Sequence, residues 1–226
     1  MKGVFVTATG TDIGKTYLLE HLIPELALTG LVRAIKPLIS GFESTVDSDL
    51  HRLLRAQKID LLPKYFEEIA CYRFSAPLSP DQAASQENKK IQYEVLIDFC
   101  LKELNAKEEG LLFIEGIGGI MVPLNAEKLV IDWIGALKIP VLLIAGSYLG
   151  SLSHTLTAIH ALKTQNIKIL AVLVNESRDS VGLDATCNSL SPFAKYIPIL
   201  SWKRGAIKTP HPLKELLQRY RFDIAN

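Results

Sequence analysis

Residues 7–16 read TATGTDIGKT, and the last three, Gly14-Lys15-Thr16, are the parts of a phosphate cradle. Backbone N–H groups at a helix N-terminus and a lysine converge on phosphate oxygens. The hydroxyl after the lysine is a Mg²⁺ ligand in such loops. The apolar run Val4-Phe5-Val6 before it and a helical pattern after it supply the required strand and helix. The common spacing fails, because Thr9 stands six residues before Lys15, where a glycine belongs.

More chemistry falls just after later apolar runs. Ile35-Lys36-Pro37-Leu38-Ile39-Ser40-Gly41 puts a lysine at a strand end, where it can neutralise a second anion, with Ser40 as a hydrogen-bond donor. An ordinary Pro/Gly turn with a surface lysine is the competing reading. Val46-Asp47-Ser48-Asp49-Leu50 opens a helix. Asp47 suits a cap or helix-dipole role, and Asp49 is the candidate Mg²⁺ ligand.

Glu115-Gly116-Ile117-Gly118-Gly119 follows the run 111–114. A carboxylate ending a buried strand is costly unless paired or bound to metal, and the glycines let backbone approach a ligand. Mg²⁺ takes one or two carboxylates plus phosphate oxygens and water, so Thr16 and Glu115 would supply two ligands. The small-residue loop 146–153 runs into a helix and is an anion-binding candidate, although Ser151 also reads as a cap. Asn175, after the run 169–174, reads as a nucleobase contact or an Asx turn. The five histidines show no metal-ligand spacing.

These residues need elements to hold them. Strand signals fall at 4–6, 32–35, 111–114, 141–145 and 169–174, with a short one at 196–200. Helical patterns run over about 14–28, 46–57, 92–105, 129–137, 152–165 and 211–220, and Pro24 predicts a kink or an early end in the first. The polar stretch 75–90 reads as a loop or short helix. Continuous apolar strands alternating with amphipathic helices predict an α/β fold. We expect a doubly wound, mainly parallel sheet with helices on both faces, P-loop NTPase-like, as one domain over 1–226. In such sheets ligands bind at the carboxyl ends of the strands.

Composition narrows the partners. With a net charge of +1, 48% hydrophobic and 22% charged residues, there is no basic field for nucleic acid or an anionic membrane. Cys71, Cys100 and Cys187 are odd in number and far apart, which predicts free thiols in a reducing compartment. No leader-like start and no run long enough for a bilayer is evident, so a cytoplasmic location is expected.

Taken in order, these blocks resemble the dethiobiotin synthetase family from residue 1 to about 200. That family has a lengthened loop, Gly-x₅-Gly-Lys-Thr, and here Ala8 stands at its first glycine. Lys36-Pro37-x-x-Ser40-Gly41, Asp49, Glu115-Gly116-x-Gly118-Gly119, Leu149-Gly150 and Asn175 match in sequence. Gly10 stands where the family commonly has aspartate, and Lys203 and Arg204 where it has an acidic residue for the nucleobase.

The resemblance implies an ATP- and Mg²⁺-dependent ligase that joins CO₂ (or bicarbonate) to 7,8-diaminononanoate. An N-carbamate forms, ATP phosphorylates it to a carbamic-phosphoric anhydride, and the second amine closes the ring. It implies Lys36 and Lys15 as catalytic cations, and Thr16, Asp49 and Glu115 as metal ligands. Nucleotide contacts would come from Thr11, Asp12, Ile13, Gly14, Lys15, Thr16, Tyr17, Asp49, Glu115, Gly116, Gly118, Asn175, Pro198 and Leu200. Substrate contacts would come from Thr11, Ser40, Gly150, Ser151, Leu152 and Ser153, the last four across a homodimer interface. The alternative is a P-loop partitioning or assembly ATPase. Those proteins carry a signature lysine five residues before Lys15, where this chain has Gly10.

Overall fold

The computed structural model describes residues 1–44 and 47–222. Its elements, in order, are β1 (Lys2–Ala8), α1 (Lys15–Ala27), β2 (Val32–Ile35), β3 (Leu38–Ile39), α2 (Asp49–Ala56), α3 (Pro63–Ile69), β4 (Tyr72–Arg73) and α4 (Pro80–Gln86). There follow α5 (Tyr93–Leu104), β5 (Leu111–Gly119), α6 (Val130–Leu137), β6 (Val141–Gly146), α7 (Ser151–Thr164), β7 (Ile169–Asn175), α8 (Leu183–Ala194), β8 (Ile199–Trp202) and α9 (His211–Phe222).

Six strands form one sheet in the order β2-β5-β1-β6-β7-β8. Every pairing in it is parallel. β1 lies inside the sheet; the chain passes from it to β2 and back to β5 on one side, then crosses to β6, β7 and β8 on the other. The crevice where strand order reverses therefore opens at the end of β1, where the TATGTDIGKT loop begins. β1 and β6 are almost wholly buried residue by residue. Burial of both side-chain directions means that both sheet faces are covered, which is why these strands lack polar alternation. Buried apolar side chains form a connected cluster from Val4 on β1 to Leu217 on α9. Within it Phe5 meets Trp133 edge to face, with centroids 4.8 Å apart.

Several expectations are corrected. β5 does not stop at 114 but runs to Gly119, so Glu115, Gly116 and Gly118 lie within the strand. It pairs with β1 in regular register up to Val6–Glu115, and the register then shifts to Ala8–Gly119. The last strand is 199–202 rather than 196–200. Helix α1 continues past Pro24 to Ala27, because a proline in the last turn removes only one bond from a packed helix. α2 begins at Asp49, and Val46, expected to open it, lies outside the described residues. The end of the expected single domain, 223–226, is outside them too.

Four elements had no sequence signal. β3 and β4 are two residues each and exist only through the non-local pairs Leu38–Tyr72 and Ile39–Arg73. α3 is short, and α8 buries Leu183, Thr186, Leu190 and Ala194, a helical stripe broken by a threonine. The three cysteines are free thiols. No described helix is long and apolar enough to cross a membrane.

Gly116 joins the core to the site. A Cβ there would lie 2.7 Å from Cε1 of the fully buried Phe5. Gly116→Ala is therefore expected to lower unfolding free energy by about 1–3 kcal/mol through overpacking. Urea denaturation followed by tryptophan fluorescence checks this, and an unchanged midpoint would refute the packing account.

Candidate active site

The loop between β1 and α1 is built around two left-handed residues, Asp12 (φ 57°) and Gly14 (φ 106°). Aspartate tolerates that region better than most side chains. Gly14 must be glycine on a second count, since a Cβ would lie 2.4 Å from Asn175 Nδ2. That amide donates to the Ile13 carbonyl at 3.0 Å. Asn175, at the end of β7, thus braces the loop, and this contact was not foreseen in its reading as a base contact.

Lys15 opens α1 and is only 7% exposed. Its Nζ donates to the carbonyls of Gly118 (3.2 Å) and Gly10 (3.5 Å), which hold it across the loop. Burial, with the nearby Lys36 cation, lowers its pKa to about 8.

Glu115 is wholly buried at the point where β5 passes the loop. Its Oε1 accepts from Thr16 Oγ1 at 2.6 Å and from Lys36 Nζ at 2.7 Å. Lys36 also pairs with Asp49 at the start of α2. The Lys36 N–H donates to Ile69 O at 2.9 Å, which anchors its backbone against α3. Burial alone would depress the Lys36 pKa, but Glu115 and Asp49 outweigh it and hold it above the usual lysine range. Burial likewise disfavours ionised Asp49, and the charge and hydrogen bond of Lys36 overcome this and keep its carboxyl below the usual range. Both ions of that pair are therefore charged at neutral pH.

Glu115 Oε2 is buried with no hydrogen-bond partner among the described residues. A buried carboxylate oxygen left bare carries a desolvation cost unless a ligand completes it. The neighbouring donors are the Thr16 hydroxyl and the Asp49 carboxylate. This all-oxygen set fits a hard divalent cation such as Mg²⁺.

These groups line a cleft of about 840 Å³. Of the residues expected from sequence, Thr11, Asp12, Gly14, Lys15, Thr16, Tyr17, Lys36, Ser40, Asp49, Glu115 and Gly118 lie on its walls. Part of the lining was missed. It is Pro77-Leu78-Ser79-Pro80, which leads into α4, and Arg52 of α2. The former lies in an aperiodic polar stretch. Arg52 had a usable signal, three residues after Asp49 on the same helix face.

Ile13 and Asn175 line a second cavity of about 290 Å³, with Asp12, Glu176, Tyr148 and Arg204 among its other walls. Pro198 and Leu200 are displaced from their expected place at a strand end. Asn175 pairs with Trp202, so Leu200 lies two residues back from the carboxyl edge and Pro198 four. At about 3.3 Å per residue, Leu200 is roughly 7 Å short of that edge. Gly116 faces Phe5 in the core rather than the cleft. Gly150 caps α7, with Ser151, Leu152 and Ser153 in its first turn, and these four line neither cavity. Ser151 Oγ is buried there without a partner, and the adjoining Leu149 is 86% exposed.

Known proteins are similar to this chain in sequence and in fold. A family model described as "AAA domain" matches residues 2–208. The ATP-dependent dethiobiotin synthetase BioD of Caulobacter vibrioides is 40% identical over 220 residues, 96% of this chain and 99% of that protein. The enzyme of the same name from Methylobacterium nodulans is 41% identical over 78% of this chain and 82% of its own length. Its namesake from Legionella pneumophila is 36% identical over 89% and 92%. Among solved structures, a chain of the MinC:MinD cell division protein complex of Aquifex aeolicus superposes with a TM-score of 0.52 at 15% identity, covering 97% of this chain and 86% of that one. A ParA family ATPase from Chlorobium tepidum gives 0.52 at 12%, covering 96% and 90%. At such identities these two show a common P-loop NTPase-like fold and nothing about activity. The BioD matches cover 78–96% of this chain and 82–99% of the relatives, and on them the chain belongs to the ATP-dependent dethiobiotin synthetase family.

Proposed function

We propose that this chain, as a single domain, closes the ureido ring of dethiobiotin from 7,8-diaminononanoate, CO₂ and ATP, in biotin biosynthesis. Identities of 40% and 41% to enzymes of that name, over 96% and 78% of this chain, support the reading. The observation that carries it is the buried Thr16–Glu115–Lys36–Asp49 cluster beside the phosphate loop. A ligase that presses two anions together needs cations fixed at their meeting point, and Lys15 and Lys36 stand there.

The steps follow from that charge arrangement. One amine takes up CO₂ as a carbamate. A carbamate oxygen attacks the γ-phosphorus and ADP departs. The second amine then attacks the carbonyl of the mixed anhydride, and phosphate leaves as the ring closes. Lys15 holds the phosphate oxygens with the loop N–H groups. Lys36 faces the carbamate and the charge that develops during transfer. Because its neighbours keep it protonated, it is positively charged before substrate arrives, which is preorganised electrostatic stabilisation.

Thr16, Asp49 and Glu115 would hold Mg²⁺, which when bound would neutralise phosphate charge. Thr11 and Ser40 would position the diamine. Gly150, Ser151, Leu152 and Ser153 would receive its tail carboxylate from the partner subunit of a homodimer. The unpaired Ser151 hydroxyl and the exposed Leu149 are compatible with that use.

Mass-spectrometric detection of dethiobiotin, with ADP release only when diaminononanoate and bicarbonate are both present, tests the assignment. Equal ATP hydrolysis without them would point to a switch ATPase instead. Lys36→Ala is expected to cut turnover by about 10²–10³-fold while nucleotide binding persists. It also strands a buried carboxylate, at a cost of about 3–5 kcal/mol. Adding Glu115→Gln should recover stability but not turnover, and wild-type turnover in Lys36→Ala would refute the role.

The Lys15 pKa of about 8 has a sign that calorimetry can read. Above that pH the free loop is largely neutral, and a phosphate favours the cation. ATP binding at pH 8.5 should therefore take up roughly 0.5–0.8 proton, with uptake vanishing at pH 6.5 once the nucleotide's own ionisation is subtracted. Affinity should weaken as pH rises past 8. Isothermal titration in buffers of different ionisation enthalpy measures this, and no uptake at pH 8.5 would contradict it.

A further inference from the structure

Thr16 and Glu115 are placed by the sheet, through the helix that leaves β1 and through β5 itself. Asp49 opens α2, an eight-residue helix reached through a loop, and its tie to the sheet runs through the Lys36 ammonium, which follows β2. A contact between α1 and α2 beyond that pair bears on its distance from Thr16 as well.

Arg52 and Glu20 are placed to do so. Glu20 lies one turn after Thr16 on α1, and Arg52 one turn after Asp49 on α2. Residues at those spacings share a helix face. The Arg52 guanidinium bridges the two helices, donating from Nε (3.0 Å) and Nη2 (2.5 Å) to Glu20 Oε2. The same Arg52 lines the main cleft beside Asp49. Helices α1 and α2 lie in contact, and each buries leucines in the common core, Leu19 and Leu22 on α1 and Leu50 and Leu53 on α2. Leucine packing holds the helices together but tolerates small slides along their axes. A two-pronged bond one turn beyond both oxygen ligands opposes that slide.

We propose that the Arg52–Glu20 ion pair is a positioning clamp that sets the separation of Asp49 from Thr16, and so tunes the divalent-cation affinity of the cleft. Neither residue touches the cation or the reacting atoms. The inference rests on the reading of Thr16, Asp49 and Glu115 as the cation's holders.

The pair is partly exposed, 30% for Arg52 and 37% for Glu20, so it contributes little to overall stability. Its effect should instead appear in metal binding. Mn²⁺ binding with ADP, read as free Mn²⁺ by electron paramagnetic resonance, measures it without turnover. Arg52→Ala and Glu20→Gln should each weaken Mn²⁺ by roughly tenfold, as for other partners that orient metal ligands. The double variant should be no worse than either single one, and Arg52→Lys should recover part of the loss. Metal-free ADP affinity and the thermal midpoint should stay near wild type.

Unchanged Mn²⁺ affinity in Arg52→Ala would overturn the clamp, as would losses that add in the double variant. So would a loss in Arg52→Ala with none in Glu20→Gln, which would mean that Arg52 acts on the nucleotide directly. If the wild-type chain takes up no Mn²⁺ with ADP, the metal assignment itself falls, and the clamp with it.

Discussion

The Lys36 ammonium, shared by Glu115 and Asp49, is the interaction on which the rest of the site depends. Glu115 is wholly inside the protein, and a lone carboxylate there would be neutralised or would unfold its surroundings. Lys36 is nearly as buried, and burial pulls its pKa down where its two partners hold it up. Each group makes the charge of the other tenable. The Thr16 hydroxyl joins the same oxygen of Glu115, so the phosphate loop, β5, the end of β2 and the start of α2 meet in one network.

That network explains features that look separate in the chain. β5 continues as a strand through Glu115 because the carboxylate has to be delivered beside β1. Gly116 follows at once, since the buried ring of Phe5 leaves no room for a side chain. Asn175 closes the other flank by holding Ile13, and Gly14 is required where that amide presses on the loop. The loop itself thus needs little intrinsic rigidity, and Ala8 and Gly10 at its start are compatible with a cradle held from three sides.

Much of the fold was legible, because buried parallel strands write themselves as continuous apolar runs and packed helices as periodic ones. The regions that failed have physical reasons. β3 and β4 are too short to show a period and are created by partners more than thirty residues away. The strand at 199–202 was read too early, because Ile197, Ile199 and Leu200 all qualify as strand residues and only the pairing of Asn175 with Trp202 sets the register. That two-residue shift removes Pro198 and Leu200 from the sheet's carboxyl edge. In their stead it brings the loop after Trp202 to the second cavity, where Arg204 N–H donates to Glu176 Oε2 at 3.0 Å.

By itself the sequence determined the parts: a cradle ending in Gly14-Lys15-Thr16, a lysine and a glutamate each directly after an apolar run, an aspartate at a helix start, and the elements that carry them. These are local facts, readable from spacing and period. Lys36 on its own was more readily read as a surface lysine. Only the tertiary structure decided that it is buried and charged, because its pairing with Glu115 spans 79 residues and that of Thr16 with Glu115 spans 99. Only the fold, too, supplied the wall at 77–80 and the Arg52–Glu20 bridge. The energy of a buried charge depends on what surrounds it, and nothing along one stretch of chain states which distant groups those will be.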